Sequence, residues 1–406
     1  MLSQNRFEPL DVNRVIGRNR VLFTQDIERH EETISEALRS ARILIIGGAG
    51  SIGREVVAQL FRRELSALHV VDISENNLVE LVRDLRSSRG YMRGDTRFLP
   101  LDVGSLEFRA FLDTQLPYDF VVNVAAMKHV RSEKDEFSLM RMIKTNILDT
   151  LAICDYARQR GVGKYFAVST DKAKNPANLM GATKRILEDV LFREDGAMAV
   201  STARFANVAF SDGSLLHGFR QRMLLRQPLS APNDVKRYFV TGPESGVLCL
   251  SALVLGAHRE IFFPKFDTAV LPIAFSEIAV GFLEMQGFEA VEVGSEEEAR
   301  ARASELISQR KWPCYFFASD TSGEKAVEEF YSDEDEIDWN RFVDIGVITA
   351  KALSGNELAR VRQFLNEVQA LRESQHWTKQ ELVGAISAAC PELAHVDVQR
   401  WLDEKM

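Results

Sequence analysis

Residues 43–61 read ILIIGGAGSIGREVVAQLF, and this stretch decides the fold. Ile43 to Ile46 form an aliphatic run too short for a helix, and they suit a strand covered on both faces. Gly47, Gly48, Gly50 and Gly53 then satisfy both GxxGxxG and GxGxxG spacing, and REVVAQLF continues with helical periodicity. Glycines let the chain turn sharply and bring backbone amides close to a pyrophosphate, whose charge then sits at the N-terminus of the next helix. Such a turn is common by itself. Here HVVDIS follows as a second strand ending in Asp72, at the roughly twenty-residue distance that a dinucleotide fingerprint requires. A carboxylate there accepts hydrogen bonds from ribose hydroxyls and repels a 2′-phosphate, which favours NAD over NADP. The alternative is that Asp72 caps a helix beginning at Ser74.

Outward from this unit the same alternation repeats. Apolar runs at 98–101, 120–124, 165–168 and 200–205 are separated by helix-like stretches, which predicts an α/β fold, a Rossmann-like doubly wound parallel sheet. Beyond about 210 the alternation weakens and Gly and Pro punctuate the chain. We therefore expect a Rossmann domain over 41–210, a smaller substrate-binding lobe over 211–354, and helical arms at 1–40 and 355–406. Ile27, Ile34 and Leu38 mark the first arm, and a capping box at Thr378 and Glu381 marks the second. The acidic run 324–338 reads as a solvated loop, because its carboxylates lack the spacing of a calcium site.

Composition narrows the function classes. The 406 residues carry 50 Lys plus Arg against 59 Asp plus Glu, a net charge of −9, so no nucleic-acid partner is expected. Four scattered cysteines without a CxxC pair indicate neither a disulfide framework nor a metal site, and they suit a cytoplasmic setting. The N-terminus lacks the apolar core of a signal peptide, and no apolar run approaches a membrane span. The apolar stripes of the two arms need a partner, in the core or in a second subunit, and a homo-oligomer is expected.

Chemistry concentrates in two later segments, NVAAMKHV at 123–130 and VSTDKAKNPANLMGATKR at 168–185. Both follow strands, and ligands of open α/β sheets bind beyond the carboxyl ends of strands. Thr170, Asp171 and Lys172 place a hydroxyl, an acid and an amine side by side. With KTN at 144–146, RFANV at 204–208, KRYFVTGPE at 236–244 and, more weakly, SGEK at 322–325, the chain resembles the extended short-chain dehydrogenase/reductases. Within them it resembles the polysaccharide-biosynthesis branch that includes UDP-N-acetylglucosamine 4,6-dehydratases.

The resemblance implies that NAD lies along Gly47, Gly48, Gly50, Ser51, Ile52, Gly53, Asp72, Ser74, Asn77, Asp102, Val103, Ala125, Ala126, Lys128, Asn146 and Lys184. Asp102 has a competing reading as a helix N-cap. The resemblance further implies that Thr170 bonds the C4 hydroxyl of the sugar, Asp171 is the general acid for water loss and Lys172 abstracts the C5 proton. Lys184 would hold the nicotinamide ribose, and Asn146 would support the active-site network. Asn207 would meet the substrate pyrophosphate, with His129 and Asn178 nearby. Arg237 is either a phosphate clamp or a surface arginine.

One departure stands out. The superfamily places Tyr four residues before its lysine, and here that position is Met180. A thioether does not relay protons, so the base for the C4 hydroxyl stays unassigned. Met180 and the arms favour the configuration-retaining subgroup. The expectation is thus an NAD-dependent dehydratase of a UDP-sugar. A nucleotide-sugar 4-epimerase or dehydrogenase is the second reading, and a noncatalytic NAD-binding scaffold the third.

Overall fold

The computed structural model describes residues 10–266, 270–319 and 329–395. Six parallel strands follow the expected alternation: β1 (Arg42–Ile46), β2 (Ala67–Asp72), β3 (Asp95–Pro100), β4 (Phe120–Asn123), β5 (Lys164–Thr170) and β6 (Ala199–Phe205). Three more complete the sheet: β7 (Glu260–Pro264), β8 (Glu336–Asp338) and β9 (Ile345–Thr349). The order is β8-β9-β7-β6-β5-β4-β1-β2-β3, and β9 runs antiparallel to both its neighbours. Chain order reverses at β1, so the crevice beyond β1 and β4 is the natural place for a ligand. Ile43, Leu44, Ile45 and Ile46 are all buried because helices cover both faces.

The helices that matter for the site are α1 (Thr24–Leu38), α2 (Ser51–Leu60), α3 (Leu179–Phe192), α4 (Gly242–Leu255), α5 (Gly355–Ser374) and α6 (Lys379–Ala389). Capping boxes at Thr241 with Glu244, Ser354 with Glu357 and Thr378 with Glu381 start the last three. No helix among the described residues is long and apolar enough to cross a membrane, and all four cysteines are buried free thiols.

Residues 211–354 do not behave as one unit. A second core gathers Phe219, Phe282, Leu283 and Trp312 around a three-stranded parallel sheet of Leu229–Pro232, Lys311–Phe317 and Glu289–Glu292. Between and after these pieces, α4, β7, β8 and β9 return to the main body. The acidic run therefore is not simply a loop, since Glu336–Asp338 is edge strand β8. Residues 324–328, and with them all of SGEK at 322–325, lie outside the described residues.

The described residues of both arms pack on cores of the chain itself. Val15 and Ile16 enter the second core, while Leu22, Phe23, Ile34 and Leu38 enter the first. Buried charges fasten this crossing. Arg18 pairs with Glu244, Asp344 accepts from Arg20 at 2.9 Å and from the Phe23 amide at 2.9 Å, and Asp26 accepts from the Val343 and Asp344 amides. At the other end, Phe364, Val368, Leu382 and Ile386 of α5 and α6 form a third core with Leu139, Ile143, Met180 and Ile186.

Candidate functional site

The turn after β1 is shaped by close approach. A Cβ on Gly47, whose φ is +76°, would stand 2.6 Å from the Ala125 amide nitrogen, and one on Gly53 would stand 2.1 Å from the Gly47 carbonyl oxygen. One on Gly48 would overlap the Val70 side chain at 2.3 Å. Gly50 differs, because its Cβ would meet nothing closer than 3.5 Å. Internal packing therefore requires three of the glycines, while the fourth leaves room for something outside the loop. Ile52, Val103, Ala125 and Ala126 are partly buried against the main core around this crevice.

Asp72 ends β2 as expected. Its carboxylate accepts from the Ala49 amide and the Ser74 amide, each at 2.9 Å, so it fastens the glycine turn to the start of the following helix. The cap of that helix is Ser74, whose hydroxyl accepts from the Asn77 amide at 3.3 Å. Asp102 is not an N-cap either. It closes a turn onto the Gly104 amide at 2.8 Å, and Ser105 caps the next helix. The Asp102 side chain stays exposed beyond the carboxyl end of β3, which pairs in parallel with β2.

The second half of the site grows from β5. Thr170 caps a single 3-10 turn, Asp171–Ala173, and its hydroxyl donates to Asp171 Oδ1 at 2.8 Å. The same oxygen accepts from the Lys172 amide at 2.9 Å and from Lys172 Nζ at 3.0 Å. Asp171 is buried while Lys172 remains partly open. Helix α3 lies directly beneath, and a Cβ on Gly181 would stand 2.4 Å from the Lys172 carbonyl oxygen. Asn178, expected near substrate, caps α3 by accepting from the Gly181 amide at 2.8 Å. Lys184 is buried, and its Nζ donates to the Val168 carbonyl at 3.0 Å. Burial lowers its pKa to about 8, against the opposing charge of Glu188.

Met180 points its chemistry elsewhere. It belongs to the third core with the C-terminal helices, and its amide donates to the buried carboxylate of Glu133 at 2.8 Å. Asn146 sits in a π-helical turn, Lys144–Asp149, and clasps the segment leaving β4. Its side chain accepts from the Met127 amide at 2.9 Å, donates to the Met127 carbonyl at 3.0 Å and reaches Thr183 at 3.1 Å. Lys128 and His129 follow, open to solvent along the crevice yet crowded by protein on their other sides. That crowding lowers both pKa values. Asn207 lies on the short strand Asn207–Val208, opposite Phe239 of Phe239–Val240, and Arg237 lies on Lys236–Arg237, which pairs instead with Ile273–Ala274. Arg237 is buried and Nη1 donates to the Lys236 carbonyl, so it is no ordinary surface arginine.

Sequence reasoning missed a buried network under the β5 turn. Glu188 accepts from Ser169 at 2.7 Å and takes a two-pronged contact from Arg204 at 3.0 and 2.7 Å. It also missed the loop from 211 to 213, where Asp212 bonds Ser51 and Ser211 accepts from Lys128. Arg204 within RFANV was the available signal, because a cation inside an apolar strand requires a buried partner.

Comparison with known proteins shows the family and the fold. The sequence matches the family model described as "Polysaccharide biosynthesis protein" over residues 43–349. It is 30% identical over 302 residues to "Capsular polysaccharide biosynthesis protein CapD" of Staphylococcus aureus, covering 73% of this chain and 48% of that protein. The chain thus spans about half the length of that relative. It is also 30% identical over 236 residues to a Campylobacter jejuni "UDP-N-acetylglucosamine 4,6-dehydratase (inverting)", covering 56% of this chain and 67% of that protein. In three dimensions the chain is similar to a crystal structure of DesIV, a dTDP-glucose 4,6-dehydratase from Streptomyces venezuelae with NAD and TYD bound. The TM-score is 0.54 at 18% identity, covering 84% of this chain and 99% of that one. That likeness supports the doubly wound α/β fold.

Proposed function

This chain belongs to the polysaccharide biosynthesis protein family, and from that premise we propose that it is an NAD-dependent nucleotide-sugar 4,6-dehydratase acting on UDP-N-acetylglucosamine. The observation that carries the reading is the Thr170, Asp171 and Lys172 cluster, an acid and an amine bridged at 3.0 Å beside a hydroxyl. An epimerase or a simple dehydrogenase has no step that uses such a pair, and a scaffold has no use for it.

The residues fit a dinucleotide. The Gly47 and Gly53 contacts bring the turn close to the crevice, the open space at Gly50 admits a pyrophosphate at the start of α2, and Asp72 offers its remaining lone pairs to ribose hydroxyls. Asp72 also disfavours a 2′-phosphate, hence NAD. When bound, NAD supplies the hydride acceptor that makes C4 a ketone and the donor that completes C6. Lys184 would orient the nicotinamide ribose, and Asn207 and Arg237 would hold the substrate pyrophosphate.

Asp171 and Lys172 act as one unit. Between them they hold one proton that matters. Moved from Lys172 to Asp171, it leaves a neutral amine able to take the C5 proton, acidified by the adjacent C4 ketone, and a carboxylic acid able to protonate the departing C6 hydroxyl. Thr170 bonds Asp171 in the free protein and would exchange that contact for the C4 hydroxyl of substrate. Met180 takes no part in proton transfer. The Campylobacter relative is named as inverting, whereas Met180 and the arms favour the retaining subgroup, so the C5 configuration of the product is the measurement that assigns the subgroup.

The test uses purified protein, UDP-N-acetylglucosamine and mass spectrometry. The expected product has lost one water, carries solvent deuterium at C5 when made in heavy water, and does not form with Lys172→Ala. Asp171→Asn should slow water loss by roughly 10² to 10⁴. A C4 epimer of unchanged mass would replace this reading with the epimerase, and full dehydration by Lys172→Ala would overturn the assignment of the base.

A further inference from the structure

After Asn207–Val208 the chain leaves the main body for the second lobe through a short, sharply bent segment, 210–214. Phe210 and Gly213 both adopt positive φ, +57° and +71°, a backbone conformation that only glycine accepts without cost. The segment is held at both ends of a span. On one side, the Ser51 hydroxyl donates to Asp212 Oδ2 at 2.9 Å and accepts from the Asp212 amide at 2.8 Å. On the other, Lys128 Nζ donates to the Ser211 hydroxyl at 3.2 Å, and the His129 ring lies 2.8 Å from where a Cβ on Gly213 would stand.

Ser51 belongs to the glycine turn beyond β1, and Lys128 and His129 belong to the segment beyond β4. These strands are neighbours in the sheet. Residues 211–213 therefore bridge the carboxyl ends of β1 and β4, across the middle of the route that a dinucleotide takes from Asp72 toward Lys184. The Asp212 side chain is 63% exposed, with His217 Nδ1 at 3.9 Å. Water thus screens most of its repulsion of a nearby pyrophosphate, while its two bonds to Ser51 persist.

We propose that residues 211–213 are a strap over the bound cofactor, latched by the Ser51–Asp212 pair, and that the strap keeps the same NAD molecule in place from one turnover to the next. This rests on the dehydratase reading, whose redox-neutral cycle has no need to exchange its cofactor. Asp212 is on this account a positioning residue. It touches no reacting atom and acts through Ser51 and the turn that Ser51 belongs to. Protein crowding lowers the Lys128 pKa and the Asp212 charge works against that, so the strap that Lys128 bonds also steadies its charge.

The experiment measures NAD release rather than turnover. Protein loaded with NAD is freed of excess by gel filtration and diluted into a large excess of ADP-ribose, and the loss of bound NAD is followed in time. Asp212→Ala and Ser51→Ala should each release NAD roughly 10-fold faster than the unmodified protein, the effect of losing a hydrogen bond to a charged group. Asp212→Asn, which keeps a side-chain acceptor for the Ser51 hydroxyl, should stay within roughly threefold. Circular dichroism melts should be unchanged, since the side chain is exposed. Unchanged release in both alanine variants would overturn the strap and leave the dehydratase reading standing, and slower release would show that the carboxylate opposes the cofactor. If the unmodified protein binds no dinucleotide, strap and reading fall together.

Discussion

Glu188 carries a charge in the interior, at 1% exposure, on the face of α3 that meets β5 and β6. Burial pushes its carboxyl pKa up. The Arg204 guanidinium overcomes that push by charge and hydrogen bonds, helped by Arg185 and Ser169, and holds the carboxyl below its usual range. Removing one partner leaves the other charged and unpaired, so Glu188→Ala should cost about 3–5 kcal/mol, read as a lower urea midpoint with little change in slope. Since the folded pKa lies below the unfolded one, this contribution is present in full above the ordinary carboxylate range and is lost as pH falls through the folded value. The stability gap between the unmodified protein and Glu188→Gln should accordingly shrink as pH drops below about 4. A gap that widened in acid would contradict the network.

Helix α3 is the element that sets the turn at Asp171–Ala173. Asn178 caps it, Gly181 lets it touch the Lys172 carbonyl, and Lys184 reaches Val168 from its second turn. Gly181→Ala should therefore displace Lys172 and Asp171 while leaving the helix intact, and a shift of that kind should lower kcat by roughly 10² with a small change in KM. A full-activity variant would show that the close contact is idle. Much of this element was legible in the sequence, as were β1 to β6, because short aliphatic runs and glycine spacing are local signals. Asp72 and the Thr170 turn were legible for the same reason. What α3 packs against was not, since Met180 is explained only by helices that start more than 170 residues later in the chain. Glu188 was missed because a glutamate in a helix reads as a solvated face. The return of Glu260–Pro264 and Ile345–Thr349 to the main sheet was missed because pairing between strands far apart in the chain leaves no periodic trace in either one.

At the scale of the whole molecule, the described residues form three cores, and residues 15–38 and 355–389 help to close them. Helices α5 and α6 cover apolar residues of Glu136–Ile143 and α3, among them Leu139, Ile143 and Ile186. A chain ending at residue 354 should expose that face, melt at lower temperature and self-associate at micromolar concentration by light scattering. A monodisperse truncated protein with an unchanged melt would mean that the cover is dispensable. The opposite end raises a question of timing. Asp26 receives amides 317 and 318 residues further along the chain, and at a synthesis rate of roughly 5 to 20 residues per second those partners leave the ribosome roughly 15 to 60 seconds after it. Helix α1 is thus made well before the segment that fastens it. Throughout that interval Ile34 and Leu38 lack the part of their shelter that Phe342 supplies, so a chaperone that binds the newborn polypeptide around residues 24–38 should let go only after residue 344 has emerged.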